Sequence, residues 1–189
     1  MRRRYSTGFA NTIGLGRLGS AWRSAKISVL AEMLDSVDPP AWPEPGDTVT
    51  AVSLWEPWAS LMALGSKTIE TRSWSTAHRG PLLICAAKRR DPRFLNSLLD
   101  DPRFRSALAS LSPPFRSVEI DDLAFGQAVA LVDLFDCRRV EEIRPTETER
   151  TFGNFSPGRF GWLTRSRRRL KPFPVVGKQG LFSVRLPEL

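Results

Sequence analysis

Within the ten residues GSKTIETRSW, Gly65 to Trp74, the chain sets Lys67, Glu70 and Arg72 just ahead of a tryptophan. In extended backbone, side chains alternate, so Glu70, Arg72 and Trp74 fall on one face and Ile69, Thr71 and Ser73 on the other. Lys67 comes two residues after Gly65, where the backbone can turn its ammonium toward the first face. A carboxylate beside Lys and Arg is favoured in its ionised form and holds both cations in fixed positions. With Trp74 or Trp55 alongside, such a group has a stacking plane, fixed donors and one fixed acceptor, which is what holding a nucleobase requires. The competing arrangement is an exposed, salt-bridged strand worth little energetically. Taken alone, the ten residues favour that plainer arrangement, because mixed charges commonly mark a solvated face.

Other polar groups add less. His78 is the only histidine, which excludes acid–base schemes built on a histidine pair; followed by Arg79 and Gly80, it reads first as a turn residue and second as a phosphate or substrate contact. In GNFSPGRFGW, Phe155, Ser156 and Arg159 combine glycine flexibility with an aromatic and a cation, so they are candidates to border a cleft. Trp55 and Trp58 read as packing residues, whereas Trp74 and Trp162 are balanced between packing and stacking. Asp133 and Asp136 lie three apart in a strand, on opposite faces, and do not make a metal site. No cofactor or metal is expected. Cys85 sits in an apolar run and reads as an inert core residue; with Cys137 far away and no Cys-x-x-Cys, neither a zinc ribbon nor a disulfide framework is indicated.

The elements that must carry these residues follow from pattern. TVTAVSL, Thr48 to Leu54, alternates as a first strand. Pro57 opens a short helix whose Trp58, Leu61 and Met62 share a face, and Gly65 supplies a left-handed stop. KTIETRSW continues as a strand, HRG as a turn, and PLLICAA, Pro81 to Ala87, as a strand buried on both faces. Asp91 with Pro92, and Asp101 with Pro102, are N-cap and first-turn pairs for two short helices. Ala124 to Phe135 is a long strand, TETERTFGNFSPGRFG a loop with some local helix, and RFGWLT and GLFSVRL close the chain as strands. Strands outnumber helices and the helices fall between them. A mixed α+β, barrel-like domain over residues 47–189 is expected.

The 189 residues are 41% hydrophobic, enough for one core. The net charge of +8 is uneven: residues 1–26 carry six basic groups and no acid, and Arg165 to Lys171 carry five and no acid, which leaves 17 basic against 20 acidic elsewhere. Clustered positive charge produces counterion-release binding to phosphates. The run RSRRRLK reads either as a solvated loop between strands or as a phosphate-contacting loop, with Arg167, Arg168 and Arg169 as its contacts. Residues 1–46 read as a basic extension, with a weak helical stripe at Trp22, Ala25, Val29 and Met33, ending in the proline-rich linker DPPAWPEPGD. An Arg- and Ser-rich, acid-poor start over residues 1–34 fits an organelle transit segment as well as a start-site artefact ahead of Met33. No apolar run reaches the roughly 20 residues of a membrane span. A soluble, cytoplasmic protein is expected.

The flanks of the charged decapeptide carry a resemblance. Ser53 and Leu54, Pro57 to Ala59, and Gly65, Lys67, Glu70, Arg72 and Trp74 stand in the order and spacing of the activating signal cointegrator homology (ASCH) family, and Trp74 to Gly80 looks like its cointegrator branch. The similarity extends over roughly residues 47–184. It implies a PUA-like β-barrel with short flanking helices and a cleft, lined by the motif's Lys, Glu and Arg, that receives RNA or a nucleoside-type ligand. One branch of the family hydrolyses acetylated cytidine with a Lys, a Thr three residues later and a distant Glu; here the third residue after Lys67 is Glu70. Another activity associated with the family is metal-independent RNA cleavage, in which Lys67 would stabilise phosphate charge and Glu70 act as base. The expectation is an RNA-binding domain, with a hydrolase of the same fold and a protein-interaction adaptor as rivals. Oligomeric state leaves no mark in the sequence.

Overall fold

The alternating segment TVTAVSL forms strand β1 (Thr48–Leu54) in the computed structural model, which describes residues 41–188. There follow α1 (Trp58–Leu64), β2 (Ile69–Arg72), β3 (Gly80–Ala86), α2 (Pro92–Leu99), α3 (Pro102–Leu108), β4 (Gln127–Arg139), α4 (Glu147–Phe152), β5 (Phe160–Pro174) and β6 (Leu181–Arg185). The strands form one sheet in the order β2-β5-β4-β3-β1-β6. β1 and β3 are parallel and the other neighbours antiparallel, so the sheet is mixed and curls into a half-barrel flanked by short helices. The readings of residues 1–40, including the helical stripe and the transit segment, lie outside the described residues. Among those described, no helix is long and apolar enough to cross a membrane.

β3 shows why the core has two sides. Leu82, Ile84 and Ala86 pack with Val52, Leu54, Met62, Val132 and Trp162 beneath α1. Leu83 and Cys85 point the other way, to Ala51, Leu131, Phe182 and Leu186, with Trp42 packed at the margin. A central strand covered on both faces needs an almost unbroken apolar run, and PLLICAA supplies it. Cys85 is 1% exposed, and burial pushes its thiol up to about 12, well away from reactivity at neutral pH. The helices begin where the Asp-Pro pairs place them: Asp91 accepts from the Phe94 amide at 3.2 Å and Asp101 from the Arg103 amide at 2.8 Å.

α1 is locked at both ends. Gly65 ends it in the left-handed region at φ 78°, where an L side chain is strained, and a Cβ there would in addition displace the flexible Arg167 guanidinium. At the start, the buried Glu56 carboxylate accepts from the Ser60 amide (3.1 Å), the Ser60 hydroxyl (2.9 Å) and the Ala124 amide (3.2 Å), which ties α1 to the approach of β4. Desolvation raises the pKa of Glu56 above its ordinary 4.5, opposed by these hydrogen bonds. Because the folded state holds this proton more tightly than the unfolded chain, the group's contribution to stability is fully present below pH 4.5 and declines as pH rises through the raised folded value. Glu56→Gln cannot ionise and removes that decline. Its melting temperature minus that of the wild type is expected to climb between about pH 4 and 8. Parallel melting curves over that range would contradict it.

The basic run corrects the sequence reading. RSRRRLK is not a loop but the middle of β5, paired with β4 through Ala130↔Arg169, Leu131↔Arg168 and Val132↔Arg167. The exposed side chains tolerate charge while the backbone still completes its ladder. The pairing shifts between Val132 and Asp133, opposite Ser166, whose φ of 45° marks a bulge. Alternation divides the three arginines. Arg167 and Arg169 oppose Val132 and Ala130 of the α1-side core, whereas Arg168 opposes Leu131 of the other side.

Candidate functional site

β2 is a short edge strand whose one strand neighbour among the described residues is β5, in the register Glu70↔Trp162, Thr71↔Gly161 and Arg72↔Phe160. Its start is fixed from across the chain. The buried Glu149 of α4 accepts from the Thr68 amide (2.6 Å), the Thr68 hydroxyl (2.7 Å) and the Ile69 amide (3.3 Å), so α4 is pinned to the entry of β2. Beyond α4, the Asn154 amide donates to Thr71 Oγ1 at 3.1 Å and Arg159 donates to the Thr71 carbonyl at 2.8 Å. These contacts close a cavity of about 550 Å³ between the end of β1, β2, and the segment after α4. Its lining includes Ser53, Trp55, Trp58, Lys67, Glu70, Thr71, Arg72, Trp74, Asn154 and Arg159.

The three charges converge. Lys67, only 1% exposed, donates to the Ile69 carbonyl and lies 3.5 Å from Glu70 Oε2. On the other carboxylate oxygen, Arg72 Nε lies 3.1 Å away. That approach is an ion pair without hydrogen-bond alignment, so the Arg72 Nε–H has no acceptor among the described residues; nor does that of Arg159. Arg72 is braced by donating to the Ser53 carbonyl at 2.9 Å. Three cations therefore line the hollow against one carboxylate, and two of their guanidinium Nε–H groups are buried without an acceptor among the described residues. The site has spare capacity for an anionic or acceptor-rich ligand.

Aromatic groups complete it. Trp162, opposite Glu70 on β5, is fully buried and donates from its indole N–H to the Trp74 carbonyl at 3.3 Å; the two rings meet edge to face with centroids 4.6 Å apart. Trp74 lines the cavity and Trp162 packs behind it in the core. Trp55 departs from the packing role read for it: it is 49% exposed at the rim, with the Arg89 guanidinium stacked 4.2 Å from its ring centre. Trp58 is half-buried and reaches both the cavity and Phe94. Because β2 ends at Arg72, strict alternation does not orient Trp74, and Thr71, placed by alternation on the far face, borders the cavity instead.

The remaining candidates lie elsewhere. His78 bonds the Pro81 carbonyl at 3.0 Å and Arg79 pairs with Asp136 at 3.2 Å; neither lines the cavity. Ser156 caps Asn154 Oδ1 at the edge of the site and leaves the lining to Asn154 itself. Asp133 is buried against Arg165 at 2.7 Å.

The ASCH domain model matches residues 52–173, more than half of the chain. The chain belongs to the ASCH family. Relatives include human Activating signal cointegrator 1, 38% identical over 136 residues, or 70% of this chain and 22% of that protein. The mouse protein of the same name is 38% identical over 88 residues, 46% of this chain and 14% of its own length. The chain thus spans less than a quarter of the curated relatives it matches. Among solved structures, an ASCH protein from Zymomonas mobilis aligns at a TM-score of 0.39 and 14% identity, covering 72% of this chain and 87% of that one; a mutant of the protein gives 0.41, at 72% and 89% coverage. In this ASCH domain the matched span holds every residue of the cavity just described.

Proposed function

We propose that the ASCH domain, taken as residues 47–189, binds single-stranded or modified RNA by drawing one base into the cavity of Lys67, Glu70 and Arg72. The observation that carries this reading is the pairing of tryptophan faces with three cations around one carboxylate in a hollow of about 550 Å³. Tryptophan rings stack on any base, the carboxylate accepts from a base amino group, and the free guanidinium N–H groups donate to carbonyls or phosphate. Arg167 and Arg169 share the α1 side of the sheet with this cavity, and Arg167 lies against Gly65, two residues from Lys67. They are the phosphate contacts outside the pocket.

Fluorescence anisotropy of a labelled single-stranded RNA, titrated over salt, tests the proposal. Affinity is expected to fall steeply with salt, and Arg167→Gln with Arg169→Gln is expected to flatten the log–log slope by about 0.7 for each phosphate no longer neutralised. Arg168→Gln, on the opposite face, is expected to leave the slope unchanged. Binding independent of salt would favour the adaptor reading; turnover of acetylcytidine or RNA in chelator, abolished by Lys67→Ala, would favour a hydrolase.

A further inference from the structure

A second cavity, of about 590 Å³, adjoins the first and shares with it Ser53, Trp55, Arg72 and Trp74. Its own walls come from Lys88, just after β3, and from the segment Val176–Gly180 between β5 and β6, including Lys178 and Gln179. The two hollows differ in chemistry. The first contains Glu70 and so offers an acceptor as well as donors, which suits a base edge. No acidic residue lines the second; with Lys88, Lys178 and the shared Arg72 it is cationic, which suits a phosphodiester. Arg72 is fixed on the dividing wall by the Ser53 carbonyl, and both its Nε–H and the Ser53 hydroxyl lack hydrogen-bond partners among the described residues. The second hollow depends on a close approach: a Cβ at Gly177 would lie 2.6 Å from Ser53 Oγ, so a larger residue there would force the Ser53 hydroxyl or the segment to move.

Each cavity alone falls within the size range of a small-molecule site, so the adjoining pair has room for two ligand groups side by side. We infer that the ligand is a strand of at least two nucleotides rather than a free nucleoside: the base occupies the Lys67–Glu70 cavity, its phosphodiester crosses the wall at Arg72, and the adjoining nucleotide lies between Lys88 and Lys178. This deepens the RNA-binding reading and rests on it.

Isothermal calorimetry with the four ribonucleosides, and with the dinucleoside monophosphates that contain them, tests the inference. For the preferred base, the dinucleotide is expected to bind about tenfold more tightly than the nucleoside, as a second stacked base and one paired phosphate warrant. In Lys88→Ala with Lys178→Ala, checked for an unchanged melting temperature, that ratio is expected to fall to near one. A ratio near one in the wild type, or a tenfold ratio that survives the double substitution, overturns the strand inference while leaving the base cavity standing. If neither nucleosides nor dinucleotides bind, the RNA-binding reading falls and takes this inference with it.

Discussion

Replacing Lys67 with methionine is expected to weaken binding of short single-stranded RNA by about 10- to 100-fold while leaving the domain folded. The ammonium has three donors; the Ile69 carbonyl and Glu70 engage it within the protein, and Lys67 lines the cavity, which leaves one donor for a ligand there. A hydrogen bond to a charged group contributes about 1.5–3 kcal/mol, and every 1.4 kcal/mol is tenfold in affinity. Methionine is close in length and flexible enough to fill the slot that lysine leaves, so the substitution removes charge more than volume. The folded state loses the Lys67–Glu70 attraction but also escapes the cost of burying an ammonium, and Arg72 still faces the carboxylate. A double variant, Lys67→Met with Glu70→Gln, separates the two effects. Stability is expected to recover because no carboxylate is left short of a partner, whereas affinity is expected to stay low because the donor is still missing. Wild-type affinity in Lys67→Met would show that the cavity is not where RNA is held.

What the sequence made legible here was local. Gly65 as a helix stop, the Asp-Pro caps and the two-sided burial of PLLICAA each follow from a few neighbouring residues, and Lys67, Glu70 and Arg72 meet because they are closely spaced along β2 and the short segment leading into it. Contacts that depend on distant pairing were not readable. Glu149 reaches Thr68 across 81 residues and Asn154 reaches Thr71 across 83, with nothing in either local pattern to announce a partner. The arginine run misled for a related reason: charge at most exposed positions imitates a loop, while the strand there is imposed by β4 and admitted by the bulge at Ser166. Trp55 was misjudged because it lies beyond the end of β1, where neither strand nor helix periodicity assigns a face. The second cavity had no signal at all, since its two walls join the chain end of β3 to a segment some 90 residues later.

Trp162→Ala is expected to cost about 3–5 kcal/mol, the usual penalty for emptying a buried aromatic site, and to lower the melting temperature by about 6–20 °C at ~2–4 °C per kcal/mol. The ring is 0% exposed and packs against the α1-side core, so little can collapse into the space it leaves. It is also the cross-strand partner of Glu70 on β5, and its N–H holds the Trp74 carbonyl where β2 gives out. The substitution is therefore expected to reach the site as well: Trp74 loses its edge-to-face neighbour, Glu70 loses its cross-strand neighbour, and RNA affinity falls even at temperatures where the variant is folded. Trp162→Phe separates packing from the hydrogen bond. It keeps most of the ring, forfeits the donor to Trp74, and is expected to cost about 1–2 kcal/mol with a smaller loss of affinity. Melting of Trp162→Ala within a degree or two of wild type would show that the β2–β5 seam is held by something other than this indole, and unchanged RNA affinity in both variants would detach Trp74 from ligand binding.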